Sequence, residues 1–278
     1  MKILIVGLGL MGGSYAMALK KKGYFVSAIT RSRSSVDFAL KKGIIDKGSD
    51  EVIPETVNSA DVVIFALYPH VFMEWIENYQ QYFKPGAIIT DVTGVKGAVV
   101  YKIQKILRKD VEFISSHPMA GREVYGVKNA DDSIFKKANF IVVPTGKNTE
   151  SAVEFCKSLG TELGFWKITA LSPEAHDEMI AFLSQLTHCI AVALMNSSDN
   201  PNLSDYTGDS FRDLTRIAKI NEDMWSELFL LNKEALLKEM DVFLAKMVKL
   251  RNFLALEDAE GMKEMMRIST LRREKFDN

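Results

Sequence analysis

Along the first 170 residues, short runs of apolar and β-branched side chains alternate with stretches of helical period. Lys2–Val6 (KILIV), residues 24–30 (YFVSAIT), 61–67 (DVVIFAL), 87–92 (AIITDV) and 111–115 (VEFIS) read as strands, and their near-continuous apolar character suits burial on both faces. Residues 139–144 (NFIVVP) and 165–168 (FWKI) are expected to finish the same sheet, with a helix over 150–163 between them. Helical period at 15–22, 34–42 and 72–82 fills other intervals. Strands alternating with helices predict an α/β fold built on a Rossmann-type, doubly wound parallel sheet. After Leu171-Ser172-Pro173 the pattern changes, and no further strand is expected. Residues 174–197, 211–219, 223–256 and 258–275 all carry helical period; in the third, Trp225, Leu228, Phe229, Leu236, Met240, Phe243, Met247 and Leu250 fall at helical spacing. So long an apolar face would be left exposed in a lone small domain, which predicts a partner chain. The expected organisation is therefore a dinucleotide-binding domain over 1–170 and an all-helical substrate and dimerisation domain over 171–278.

The first strand runs without a break into Gly7-Leu8-Gly9-Leu10-Met11-Gly12-Gly13-Ser14, which has the spacing G-x-G-x-x-G. Strand, glycine loop and helix in that order form the context in which this motif binds a dinucleotide. Gly7 permits the tight turn, Gly9 lets a pyrophosphate approach the backbone, and Gly12 lets helix and strand pack closely. The first turn of the helix, through Leu10 and Met11, offers free N–H groups and a positive dipole end to phosphate. Leu67 and Asp91, at the carboxyl ends of two later strands, are placed with the cofactor because ligands bind at that edge of such sheets. A preference for NAD usually puts an acidic residue after the second strand. This chain has Thr30-Arg31-Ser32-Arg33-Ser34-Ser35 there, guanidinium groups and hydroxyls that suit a 2′-phosphate, so NADP is expected in preference to NAD.

Composition narrows the class. With 35 basic and 36 acidic side chains the net charge is −1, and nothing suggests bulk attraction to nucleic acid or a membrane surface. Two cysteines, Cys156 and Cys189, make no disulfide framework. No signal peptide, metal site or apolar run of membrane-spanning length is expected, which points to the cytoplasm.

Among the four histidines, His117 follows a strand on the ligand edge, where a group of pKa about 6.5 can take a hydroxyl proton as hydride leaves for a nicotinamide. His188 faces Ser184 and Gln185 one turn back, with a core and a ligand role equally open. His176, beside Asp177 near a helix start, reads as capping or structural, and His70 as a loop residue near the cofactor. Asp213 and Arg216 are i,i+3 neighbours in Phe211-Arg212-Asp213-Leu214-Thr215-Arg216. The aspartate could orient the arginine as a clamp for a substrate carboxylate. A routine surface ion pair is the commoner outcome of that spacing.

The glycine loop, Asp91-Val-Thr-Gly-Val-Lys96, His117-Pro-Met-Ala-Gly121, His176-Asp177, Ser184-Gln-Leu-Thr-His188 and Phe211-Arg-Asp-Leu-Thr-Arg216, in that order over essentially the whole chain, resemble the prephenate/arogenate dehydrogenase family of tyrosine biosynthesis. The resemblance implies a cytoplasmic homodimer, joined through its helical domain, that oxidatively decarboxylates prephenate, or arogenate, with NADP or NAD. It implies that His117 is the catalytic histidine, that Arg216 binds the substrate carboxylate, that Glu123 sits near the entrance and His188 lines the pocket, and that Asp213 and Trp225 support it. The chain departs from the family pattern at Gly94, where many relatives carry a serine that contacts substrate and histidine, so Thr93 is expected to cover that catalytic role. Gln185 stands where a histidine is usual and is placed with the substrate contacts. With the sequence ending at Asn278, neither the regulatory domain of some relatives nor a fused chorismate mutase is expected. A β-hydroxyacid dehydrogenase shares the glycine fingerprint but typically uses a lysine base, and a nucleotide-sensing protein would need neither His117 nor Arg216.

Overall fold

A computed structural model describes residues 1–276. The first half is a six-stranded sheet, all parallel, in the order β3-β2-β1-β4-β5-β6. Its strands are β1 (Lys2–Val6), β2 (Phe25–Ile29), β3 (Lys47–Ser49), β4 (Val62–Phe65), β5 (Ile88–Asp91) and β6 (Glu112–Phe113). Helices α1 (Leu10–Lys21), α2 (Arg33–Lys41), α3 (Pro54–Asn58), α4 (Pro69–Tyr79) and α5 (Gly97–Ile106) lie between them in sequence. The chain steps outward from β1 to β2 and β3, then returns to the other side of β1 at β4, so the strand order reverses between β1 and β4 and opens a crevice at their carboxyl ends.

The alternation of β1 divides the core. Ile3 and Ile5 pack on one face with Tyr15, Leu19, Ile64 and Phe140, while Leu4 and Val6 pack on the other with Phe65, Phe72 and Trp75. Both sets are buried, as a sheet covered on two sides requires.

Three details differ from the reading of the pattern. First, the last strands do not extend the parallel sheet. β7 (Ser115–Pro118), β8 (Asn139–Val143) and β9 (Lys167–Ala170) form a separate three-stranded sheet, β7 antiparallel to β8 and β8 parallel to β9, with α6 (Glu150–Leu163) between the last two in sequence. The strand expected over 111–115 breaks at Ile114. Ser115 and Ser116 donate to Asp91 instead of continuing the ladder along β5, which turns the chain away. Second, β3 has no apolar signal in its three residues, KGS. Third, the long helices are interrupted. From α7 (Pro173–Ile180) the chain passes through a π-helical segment, Ala181–Leu186, into α8 (Thr187–Met195). The helix expected over 223–256 divides at Asn232 into α11 (Glu222–Leu231) and α12 (Lys233–Ala255). The buried Asn232 amide donates to the Asp177 carbonyl at 2.9 Å and to Gln185 Oε1 at 2.8 Å. Short helices α9 (Leu203–Tyr206) and α10 (Asp209–Thr215) precede this pair, and α13 (Ala259–Arg273) follows it.

The stretch Pro173–Met195 is, by length and composition, apolar enough to cross a membrane, contrary to the expectation that no run reaches that length. Its polar members His176, Asp177 and Gln185 are buried against the rest of the protein. On α12 and α13, Val242, Leu244, Met247, Leu254, Met266 and Leu271 are exposed apolar side chains.

Candidate active site

The carboxyl ends of β1, β4, β5 and β7 meet α8, α11 and the Arg216 turn around a cleft of about 720 Å³. At one end lies the glycine loop. Gly7 adopts φ +97°, and a Cβ there would stand 2.3 Å from the Ala66 carbonyl oxygen. A Cβ on Gly12 would lie 1.9 Å from the Gly7 carbonyl, so strand and helix could not approach. A Cβ on Gly9 would meet nothing within 4 Å, because this residue opens onto the cleft. Leu10, Met11, Gly12 and Leu67 also line it, and the first turn of α1 carries no acidic side chain. The loop therefore fits a dinucleotide's phosphates.

Asp91, expected at the cofactor, is fully buried and outside the cleft wall. Its carboxylate accepts from Thr93, Lys96, Ser115 and Ser116, with Lys96 Nζ at 2.8 Å. Lys96 is itself fully buried; burial lowers its pKa and the Asp91 charge opposes that shift. Thr93 lines the cleft, but its hydroxyl donates to Asp91 and to the Val95 carbonyl and accepts from Lys96 Nζ. It makes no bond to His117, contrary to the role expected of it.

His117 sits on β7 at the cleft wall. Its Nδ1 lies 2.8 Å from Nε2 of His176, whose Nδ1 lies 2.8 Å from Asp177 Oδ1. Asp177 in turn accepts the backbone N–H groups of Lys96, at 2.8 Å, and Gly97, at 2.7 Å, at the start of α5. Burial first, then His176 and Lys96, push the His117 pKa well below its usual value, and burial also lowers that of His176. Both imidazoles are therefore neutral at pH 7. His176 and Asp177, which the sequence presents as a capping or structural pair, instead stand in series behind His117. The available signal was an adjacent His-Asp pair at the first helix after the last strand.

Across the cleft, the His188 ring stacks on Trp225 with centroids 3.7 Å apart, and its Nδ1 lies 2.8 Å from the Ser184 carbonyl oxygen. A carbonyl only accepts, so Nδ1 bears the proton and Nε2 is left as an acceptor. Arg216 reaches the cleft and pairs with Glu123, not with Asp213. Asp213 is exposed on α10 and does not line the cleft; Arg212 pairs with Asp209 instead. Gln185 borders the cleft, yet its amide donates to the Leu228 carbonyl at 2.9 Å and accepts from Asn232, so it is committed to the α11–α12 junction. His70 is the second residue of α4, paired with Glu227. Thr30, Arg31, Ser32 and Arg33 lie beyond the cleft at the end of β2. Ser32 caps α2, Arg33 is engaged by Asp37 and Asp50, and Arg31 is exposed.

Residues 15–166 match the family model described as prephenate dehydrogenase, nucleotide-binding domain, and residues 172–268 match that of the prephenate dehydrogenase dimerization domain. The chain belongs to the prephenate dehydrogenase family. A prephenate dehydrogenase of Bacillus subtilis is 34% identical over 94% of this chain and 72% of its own length. A cyclohexadienyl dehydrogenase of Zymomonas mobilis is 30% identical over 94% of this chain and 91% of its own. The crystal structure of prephenate dehydrogenase from A. aeolicus, in complex with hydroxyphenyl propionate and NAD+, superposes with a TM-score of 0.90 at 31% identity, covering 99% of this chain and 98% of that one. As a prephenate dehydrogenase family member, the protein is an NAD(P)-dependent oxidoreductase with a small-molecule substrate.

Proposed function

We propose that the protein oxidises prephenate with loss of carbon dioxide, the dehydrogenase step of tyrosine biosynthesis, with His117 as the base. The observation that carries this is the placement of a neutral, half-buried His117 on the cleft wall, with Nδ1 already engaged by His176. Its other nitrogen is then the one left to take the proton of the ring hydroxyl. A bound nicotinamide supplies the hydride acceptor. As the carbon bearing the hydroxyl loses hydride, the bond to the ring carboxylate breaks, its electron pair restores aromaticity, and carbon dioxide leaves. Arg216 holds the side-chain carboxylate at the far end of the cleft, and His188, backed by Trp225, offers Nε2 as an acceptor along its wall. This positioning fixes the ring against the base.

Arogenate is the second reading, favoured by one observation. Glu123 sits beside Arg216, so a carboxylate bound to the arginine places an adjacent ammonium near an acid. Arg31, exposed and without a carboxylate partner among the described residues, supports NADP over NAD. Residues 1–170 would hold the dinucleotide, and 171–278 the substrate and a second copy of the chain in a cytoplasmic homodimer. The exposed apolar side chains of α12 and α13 support the dimer. Steady-state rates with prephenate and with arogenate, each with NAD+ and NADP+, test the reading. Turnover of prephenate, faster with NADP+, is expected; turnover of neither substrate would overturn it.

A further inference from the structure

Three side chains in series, the half-buried His117 and the buried His176 and Asp177, connect the cleft to the start of α5. His117 lies on β7, but the groups behind it, His176 and Asp177, belong to α7, the first helix after the sheets. Asp177 reaches back to the sheet side and accepts from the first N–H groups of α5. A Cβ on Gly97 would stand 3.0 Å from Asp177 Oδ2, so the small residue allows this approach.

We infer that His176 and Asp177 are positioning residues that fix the tautomer of His117, so that the base is completed only when α7 is docked against β7 and α5. The inference deepens the assignment of His117 as base and rests on it.

The hydrogen bonds allow one consistent proton arrangement. Asp177 meets two backbone N–H donors and accepts from both, so its oxygens serve as acceptors. Across the 2.8 Å contact to Asp177, His176 Nδ1 must therefore donate. A neutral imidazole carries one proton, so His176 Nε2 is an acceptor. His117 Nδ1, 2.8 Å away, must then donate to it, and His117 Nε2 keeps its lone pair. That is the atom a general base needs. The reverse arrangement would place the proton on Nε2 and leave His117 unable to accept. When His117 takes the substrate's proton at Nε2 it becomes an imidazolium, and Nδ1 keeps its own proton in the bond to His176. No proton needs to pass further, and the Asp177 charge stabilises the cation through the polarised chain. Lys96, before α5, acts on both imidazoles, while Asp177 on α7 and Asp91 on β5, whose charge Lys96 balances, act on His176.

The chain has four histidines, so 15N-histidine labelling of the whole protein gives four ring systems, and His117→Gln identifies one of them. The expected spectrum at pH 7.5 shows His117 protonated at Nδ1 and bare at Nε2. A wild-type His117 protonated at Nε2 overturns the inference without any variant of His176. In kinetics, His176→Leu should lower kcat on the order of a hundredfold while leaving KM for prephenate and cofactor affinity unchanged, since a base in the wrong tautomer is lost to the chemical step alone. His176→Gln, whose Oε1 can accept from His117 Nδ1, should recover part of that loss and return the Nδ1–H signal that His176→Leu scrambles. If both variants fold and turn over like wild type while His117→Gln is inactive, the positioning role is wrong and the base stands. If His117→Gln itself turns over normally, the base assignment fails instead.

Discussion

Arg216 offers the sharpest separation between a surface ion pair and a substrate clamp. Its side chain is 64% exposed and its partner Glu123 is 33% exposed. A pair this open contributes at most about 1 kcal/mol to folding. Arg216→Ala should therefore lower the melting temperature by no more than about 2–4 °C for a chain of this size class. The kinetic effect should be much larger. If the guanidinium meets the substrate carboxylate bidentately, its loss leaves that charge without a partner inside the cleft, at a cost of 2–5 kcal/mol for buried pairs. Because Arg216 is only partly desolvated, the lower end of that range applies. About 2–3 kcal/mol corresponds to roughly a 30- to 150-fold fall in kcat/KM. The fall should appear mainly in KM, since ground and transition states carry the same carboxylate. Lysine should restore only part, because a point charge cannot reproduce the fork. The assay is initial velocity against prephenate and arogenate at saturating cofactor, with cofactor affinity measured separately and expected to be unchanged. An Arg216→Ala enzyme with wild-type KM for both substrates would refute the clamp.

Other perturbations test other parts of the site. Glu123→Gln should depress kcat/KM for arogenate relative to prephenate, because it removes the acid beside the arginine; an unchanged ratio would exclude that contact. Arg31→Ala should weaken NADP more than NAD in cofactor titrations, whereas Arg33→Ala should do less, since Asp37 and Asp50 already engage Arg33; equal losses for the two cofactors would remove the 2′-phosphate argument. Lys96→Met leaves Asp91 buried without its cation and should cost about 3–5 kcal/mol, read as a large drop in melting temperature; a shift within error would contradict the buried pair. His117, His176 and His188 all have pKa values lowered by burial, so below about pH 6.5 the unfolded chain binds protons that the folded one refuses. Stability should hold above that pH and fall as it drops from there toward the folded-state values; melting curves flat from pH 8 to pH 5 would contradict it.

The glycine loop and the alternation of strand and helix were legible in the sequence because both are local. Gly7 and Gly12 stand where sterics demand them, Gly9 opens onto the cleft, and apolar runs such as ILIV at residues 3–6 are buried whatever surrounds them. What remained hidden depends on side chains meeting across long separations. Asp91 reads as a cofactor contact from its place at a strand end, but Lys96, Ser115 and Ser116 close around it. The i,i+3 spacing of Asp213 and Arg216 permits a pair, yet Glu123, 93 residues away, takes the arginine. The break at Asn232 carries no propensity signal strong enough to end a helix; it follows from a buried amide that finds the Asp177 carbonyl and Gln185. His176 looked like a cap because its partner His117 lies 59 residues back on another element.

The central claim is that His117 removes a proton during an oxidative decarboxylation. It is tested most directly by following carbon dioxide release and NADPH formation from prephenate with the wild-type enzyme and with His117→Asn. The wild type should release the two products one to one. The variant should bind cofactor as before and lose roughly a hundred- to ten-thousand-fold in kcat at neutral pH, the usual contribution of general-base assistance. Near wild-type turnover by His117→Asn, or reduced cofactor formed without carbon dioxide, would contradict the account.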